Sequence, residues 1–180
     1  MLPSRILFCL TGSIACFKAC SVVSKLVQSS YEVQCIATHS ALEFIGKRTL
    51  EGLTDKRVIT DKFDDEFFKV HIDLVNWADL VIVCPATANS INRLAAGLAD
   101  NIVGLVYLAN NFQKPFLIAP AMNTQMLNHP TVVDSINKLT QEGAIVLSTK
   151  EGTLACGSVG LGKLEDVGTI FEAICKHLNK

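Results

Sequence analysis

Apolar residues in this chain gather in short continuous runs, and each run stops abruptly at small or polar residues. Residues 6–10, 33–37, 80–84, 115–119 and 144–147 are the five clearest. Their length and lack of alternation predict strands buried on both faces, as in a parallel sheet. Between them, apolar positions recur at three- and four-residue spacing. That period predicts helices over 14–28, 41–46, 70–77, 131–142 and 167–178, with another apolar helix ending at Leu108. The stretch from Ala78 to Ser90 shows the rhythm best. An apolar run meets Pro85, polar residues follow, and Ile91, Leu94, Ala95 and Leu98 resume at helical spacing.

Strands alternating with helices predict an α/β fold: one Rossmann-like or flavodoxin-like doubly wound parallel sheet between two helical layers, as a single domain over residues 1–180. A flavodoxin-like strand order is expected, with the first strand–helix turn near the sheet centre. Two segments break the rhythm. Residues 49–70 mix charges and suggest one short strand near 57–59, then an acidic, Phe-containing surface connector. Residues 152–162 hold four glycines around Ala155-Cys156-Gly157 and suggest a mobile loop.

Composition narrows the function classes. Hydrophobic residues make up 49% of the 180, and mean hydropathy is +0.36. Both values fit a sheet covered on each side and an oligomer interface as well. Net charge is −1 with pI near 6.4, so no basic field exists to recruit nucleic acid. No apolar run reaches the roughly 18–20 residues of a membrane span. The seven cysteines are odd in number, three lie inside strand-like runs, and no CxxC occurs. A disulfide framework is therefore not expected, and a reducing, cytoplasmic setting is. The apolar N-terminus mimics a signal peptide, but a first strand turning into a helix explains more of its residues.

The strand ends carry the candidate chemistry. Gly12 permits a close turn, Ser13 suits a helix N-cap, and the amides of that helix start suit a phosphate. A dinucleotide fingerprint is absent: only one glycine stands where three are needed, and Thr38-His39-Ser40 supplies no ribose-binding acid. Thr38 and Ser40 either meet a phosphate or cap the next helix. Thr87, Asn89 and Ser90 either face a heterocycle edge or cap theirs. His71 reads as a general base or a structural histidine, and Asn123 as a carboxylate ligand or a turn former. Cys156 differs from the other cysteines in its glycine-rich setting, where reactive thiols occur. Cys16 and Cys20 lie four apart on a helix without further ligands, so no metal site is expected.

Four motifs occur in order: Gly12-Ser13-Ile14-Ala15, Pro85-Ala86-Thr87-Ala88-Asn89-Ser90, Pro120-Ala121-Met122-Asn123 with Met126, and Leu154-Ala155-Cys156-Gly157 followed by Gly160 and Gly162. Over about residues 5–167 the set resembles the homo-oligomeric flavin-containing Cys decarboxylases. The resemblance implies FMN as cofactor. Gly12, Ser13, Ile14, Thr38 and Ser40 would hold its phosphate and ribityl chain; Thr87, Ala88, Asn89, Ser90 and Ala121 would line its ring. It implies His71 as base, Asn123 as ligand of the substrate carboxylate with Met126, Ala155 and Lys163 nearby, and Cys156 as proton donor on a closing flap. It also implies a homotrimer, or a higher oligomer of trimers, in which His71 serves a neighbour's flavin. The implied substrate is 4'-phosphopantothenoylcysteine of coenzyme A biosynthesis. A peptide ending in cysteine, or a regulatory flavin-binding role without turnover, is the alternative. Cys156 favours net non-oxidative decarboxylation over release of an oxidised enethiol. Ser90, Lys163 and Glu165-Asp166 depart from the family's usual Thr, Arg and Glu-Pro, which bears on the phosphate end of the substrate.

Overall fold

The structure, a computed structural model, describes residues 3–61, 70–153, 155, 157 and 159–178. Six parallel strands form the main sheet: β1 (Arg5–Leu10), β2 (Glu32–Ala37), β3 (Ile59–Thr60), β4 (Leu80–Ala86), β5 (Phe116–Pro120) and β6 (Ile145–Val146). Their order is β3-β2-β1-β4-β5-β6. Without the two-residue edge strand β3, the five expected strands follow the flavodoxin-like order; β3 extends it to the dinucleotide-fold order.

The apolar runs are continuous because helices cover both faces. Alternate β1 residues point opposite ways: Ile6, Phe8 and Leu10 enter one core, Leu7 and Cys9 the other. The first core is closed by α1 (Cys16–Gln28), α3 (Lys47–Thr54) and α9 (Val167–Leu178), through Val22, Leu26, Leu50, Ile170 and Ile174. The second is closed by α4 (Val70–Trp77), α5 (Ala88–Ala95), α6 (Ile102–Asn110) and α8 (Pro130–Glu142), through Leu74, Ile91, Val106 and Leu139. No described helix is long and apolar enough to cross a membrane.

Several boundaries differ from expectation. Helix α1 starts at Cys16, two residues late, because Ser13 serves a tight turn. The helix expected over 41–46 is instead α2 (His39–Leu42). Helix α3 was hidden by its charges: it buries only Leu50 and Thr54, and Lys47 and Arg48 pair with Glu51 on its surface. Strands β4 and β5 continue through Pro85 and Pro120 rather than stopping there. A register shift between Val83 and Ala86 lets a proline sit where the ladder needs no donor; the Cys84–Pro85 peptide is cis. The glycine-rich segment contains an antiparallel hairpin, β7 (Lys150–Thr153) and β8 (Val159–Lys163), outside the main sheet. One short helix, α7 (Thr124–Leu127), follows β5.

Candidate functional site

Strand order reverses between β1 and β4, so their loops part and leave a crevice at the carboxyl edge of the sheet. A cavity of about 990 Å³ occupies it. Thr11 ties together the strand ends that flank it. This buried hydroxyl donates to the Pro85 carbonyl at 2.7 Å and accepts from the Thr87 amide at 3.1 Å, pinning the β1 and β4 ends together. Thr11 was not singled out from sequence, since its partners lie about seventy-five residues away.

Gly12 lies so close to α2 that a Cβ on it would stand 2.5 Å from the Ser40 Cβ. Any side chain there would push the two loops apart. Ser13 Oγ accepts from the Ala15 amide at 3.2 Å, and the Ser13 carbonyl accepts from Cys16 N at 3.0 Å. The amides of Gly12, Ser13 and Ile14 meet no acceptor among the described residues. Amides left without an acceptor just before a helix suit an anion. Ser40 borders them. Thr38 also lines the cavity while capping α2, its Oγ1 accepting from Ala41 N at 3.2 Å.

Asp61 was read only as part of an acidic connector. It lines the cavity, and its carboxylate accepts from the His39 amide at 3.1 Å and the Ile102 amide at 3.0 Å. On the β4 side, Thr87 Oγ1 caps α5 by accepting from Ser90 N at 3.3 Å, and the two hydroxyls lie 3.1 Å apart. Ala88, Asn89 and Ser90 complete that wall.

The β5 loop brings the next group. Ala121 N donates to the Ala86 carbonyl at 2.9 Å, joining the two proline-containing strand ends. Asn123 Oδ1 accepts from Gln125 N at 2.8 Å and caps α7. The hairpin docks on this loop: Met122 N donates to the Gly162 carbonyl at 2.9 Å and Thr124 Oγ1 to the Leu161 carbonyl at 2.6 Å. Ala155 and Lys163 thereby join Asn123 and Met126 on the cavity wall. The rim is apolar and open, with Ile14, Phe17 and Met126 each about half exposed.

Every expected cofactor- and substrate-contacting residue thus lines one cavity. His71 does not. It stands half-buried in the first turn of α4 and is absent from the cavity wall. Cys156 lies outside the described residues. Five strand and helix thiols are poor nucleophiles: burial pushes Cys9, Cys16, Cys35 and Cys84 up, and Cys20 to about 11. Near the hairpin, the hydrogen bond from Lys150 holds the Asp166 carboxyl below its ordinary value, with smaller pulls from Lys18 and Lys163. No group of three or more His, Cys, Asp or Glu among the described residues could hold a metal.

The Flavoprotein family profile matches residues 1–179. The chain belongs to the Flavoprotein family. Within that family it is 44% identical over 180 residues to the coenzyme A biosynthesis bifunctional protein CoaBC of Bacillus subtilis, covering 98% of this chain and 44% of that protein. The chain thus spans less than half the length of this relative. It is 38% identical to a probable phosphopantothenoylcysteine decarboxylase of Streptococcus mutans, covering 98% of this chain and all of that one. Among solved structures, a PPC decarboxylase mutant complexed with pantothenoylaminoethenethiol superposes with a TM-score of 0.88 at 27% identity, covering 99% of this chain and 100% of its own. The FMN-dependent cysteine decarboxylase SpaF superposes at 0.82 and 28% identity, covering 99% and 97%. This flavoprotein therefore shares its three-layer fold with both.

Proposed function

We propose that this flavoprotein binds FMN in the cavity and decarboxylates 4'-phosphopantothenoylcysteine to 4'-phosphopantetheine, as a carboxy-lyase of coenzyme A biosynthesis. The observation that carries the reading is that the acceptor-free amides of Gly12, Ser13 and Ile14, with Ser40 packed beside them, line the same cavity as Asn123 and the docked hairpin. A volume near 990 Å³ is ample for a flavin mononucleotide and a small substrate. The relatives point the same way, since their names carry this decarboxylation and FMN.

The phosphate takes the three amides and the hydroxyls of Ser13, Thr38 and Ser40. Thr87, Ala88, Asn89, Ser90 and Ala121 line the ring. FMN, when bound, supplies the two-electron chemistry that lets a cysteinyl carboxylate lose CO2. Asn123, oriented by the Gln125 amide, binds the substrate carboxylate. Met126 and Ala155 flank it, and the Lys163 ammonium stands toward the anionic end. Cys156 gives the proton that completes the saturated thiol. His71 is the base, and because it lies outside the cavity of its own chain it serves a neighbour's cavity in a homotrimer or an oligomer of trimers. Residues 1–180 act as one flavin-binding domain in the reducing cytoplasm, where their thiols stay free.

The test is incubation of the yellow protein with phosphopantothenoylcysteine, following CO2 and phosphopantetheine, with a peptide ending in cysteine as control substrate. Bound FMN without turnover of the first substrate overturns the reading, and turnover of the peptide alone moves it to the peptide. Cys156→Ser is expected to decarboxylate but accumulate the oxidised enethiol. His71→Asn and Asn123→Ala, each inactive alone, are expected to recover activity when subunits are mixed. No recovery would place His71 in its own chain's chemistry or in none.

A further inference from the structure

Asp61 follows edge strand β3 and belongs to none of the four motifs. Its two oxygens reach apart, Oδ2 to the His39 amide and Oδ1 to the Ile102 amide. His39 opens α2 and Ile102 opens α6, so one side chain closes the first turn of two separate helices. Each helix already has a local cap: Thr38 takes the amide of Ala41, and Asn101 Oδ1 takes that of Gly104 at 2.9 Å. Asp61 takes one of the first-turn amides that each of these caps leaves. Thr38, Asn101 and Asp61 all line the cavity.

Helix propensity does not explain this arrangement, because α2 has only four residues and gains little from a second cap. Attraction for a phosphate does not explain it either, since the carboxylate carries the wrong sign. What the bridge does fix is position. Ser40 follows His39 directly, and Ser40 is the residue against which Gly12 packs without room for a methyl. A carboxylate that fastens His39 to α6 therefore sets how far Ser40 stands from the Gly12–Ile14 amides.

We infer that Asp61 is a positioning residue for the phosphate end of the cofactor site, acting through α2 and α6 rather than by contact with the flavin. This rests on the FMN reading above. The test compares affinities for FMN and for riboflavin, which lacks the phosphate, by fluorescence quenching on the flavin-stripped full chain. Wild type, Asp61→Asn and Asp61→Ala are titrated. Asp61→Ala is expected to bind FMN at least about tenfold more weakly while riboflavin affinity stays within about twofold. Asp61→Asn, which keeps one acceptor, is expected to fall between. Should the alanine variant fail to fold, the asparagine variant carries the comparison. Equal losses for both flavins would mean general loosening and overturn the assignment, as would unchanged FMN affinity. Wild-type protein that binds no FMN would overturn the cofactor reading, and the assignment with it.

Discussion

Replacing Gly162 with alanine puts a methyl where the Asn123 loop already lies. The added Cβ would stand 2.2 Å from the Met122 carbonyl oxygen, a backbone atom that cannot rotate away. Gly162 also has φ +118°, where an L side chain is strained. Keeping the native arrangement would cost about 1–2 kcal/mol for the backbone and about 1–3 kcal/mol for the collision. Letting the hairpin undock costs less. It gives up the Met122–Gly162 and Thr124–Leu161 hydrogen bonds, each worth about 0.5–1.5 kcal/mol net. The chain should therefore yield locally, with global stability in urea falling by no more than about 3 kcal/mol. Trypsin should cut faster at Lys150 and Lys163, and turnover should collapse because Ala155 and Lys163 leave the Asn123 side of the cavity. Gly160→Ala is the control. Its Cβ would meet Thr124 Oγ1 at 2.6 Å, a side chain that can rotate, so only one bond of about 1 kcal/mol is lost and the hairpin stays docked. A Gly162→Ala protein with wild-type protease resistance and turnover would refute the reasoning.

Three further outcomes are expected. The Lys114 ammonium donates to the carbonyls of Val75 at 2.5 Å and Asn76 at 3.0 Å, and to that of Ala78, closing the end of α4. Lys114→Met should cost about 2–3 kcal/mol and lower Tm by about 4–10 °C in calorimetry; an unchanged Tm would show the cap to be idle. Native protein treated with iodoacetamide near pH 8 should be alkylated at Cys156 and Cys175 at most, since burial keeps the Cys9, Cys16, Cys20, Cys35 and Cys84 thiols protonated. Rapid modification of Cys84 by mass spectrometry would contradict that packing. Glu32 is held below its ordinary value first by the Lys56 hydrogen bond, and Asp166 by that of Lys150. Depressed carboxylates add stability above their unfolded values and lose it as pH falls through the folded ones. The Glu32→Gln, Asp166→Asn protein should therefore show a shallower acid limb than wild type below about pH 5; parallel limbs would rule these pairs out as contributors.

What could be read along the chain was whatever a residue does with its near neighbours. Continuous apolar runs marked β1, β2, β4 and β5 because both faces of each are covered, and that state needs no partner to be named. The capping reading of Thr38 held for the same reason: its acceptor role spans three residues. The reading failed where the reason for a residue lies far away. Gly160 and Gly162 resemble loop glycines, yet they are small because the Met122–Thr124 backbone and side chains press on them. Lys150 and Glu151 are exposed, so β7 has no apolar alternation to announce a strand. Asp61 finds its donors 22 and 41 residues away, and nothing local separates it from an ordinary surface acid.

His71 is a sharper instance of the same limit. A motif can say that a histidine belongs to a site without saying whose site it is. Within one chain His71 lies off the cavity wall, while its neighbour Ile72 is 42% exposed, as are the rim residues Ile14 at 54%, Phe17 at 60% and Met126 at 48%. Exposed apolar groups beside a binding site are costly unless something covers them. A proposed base outside its own cavity and an apolar rim left uncovered by the described residues pose one geometric problem. A symmetric assembly that seats α4 of one subunit against the rim of the next would answer both with the same contact.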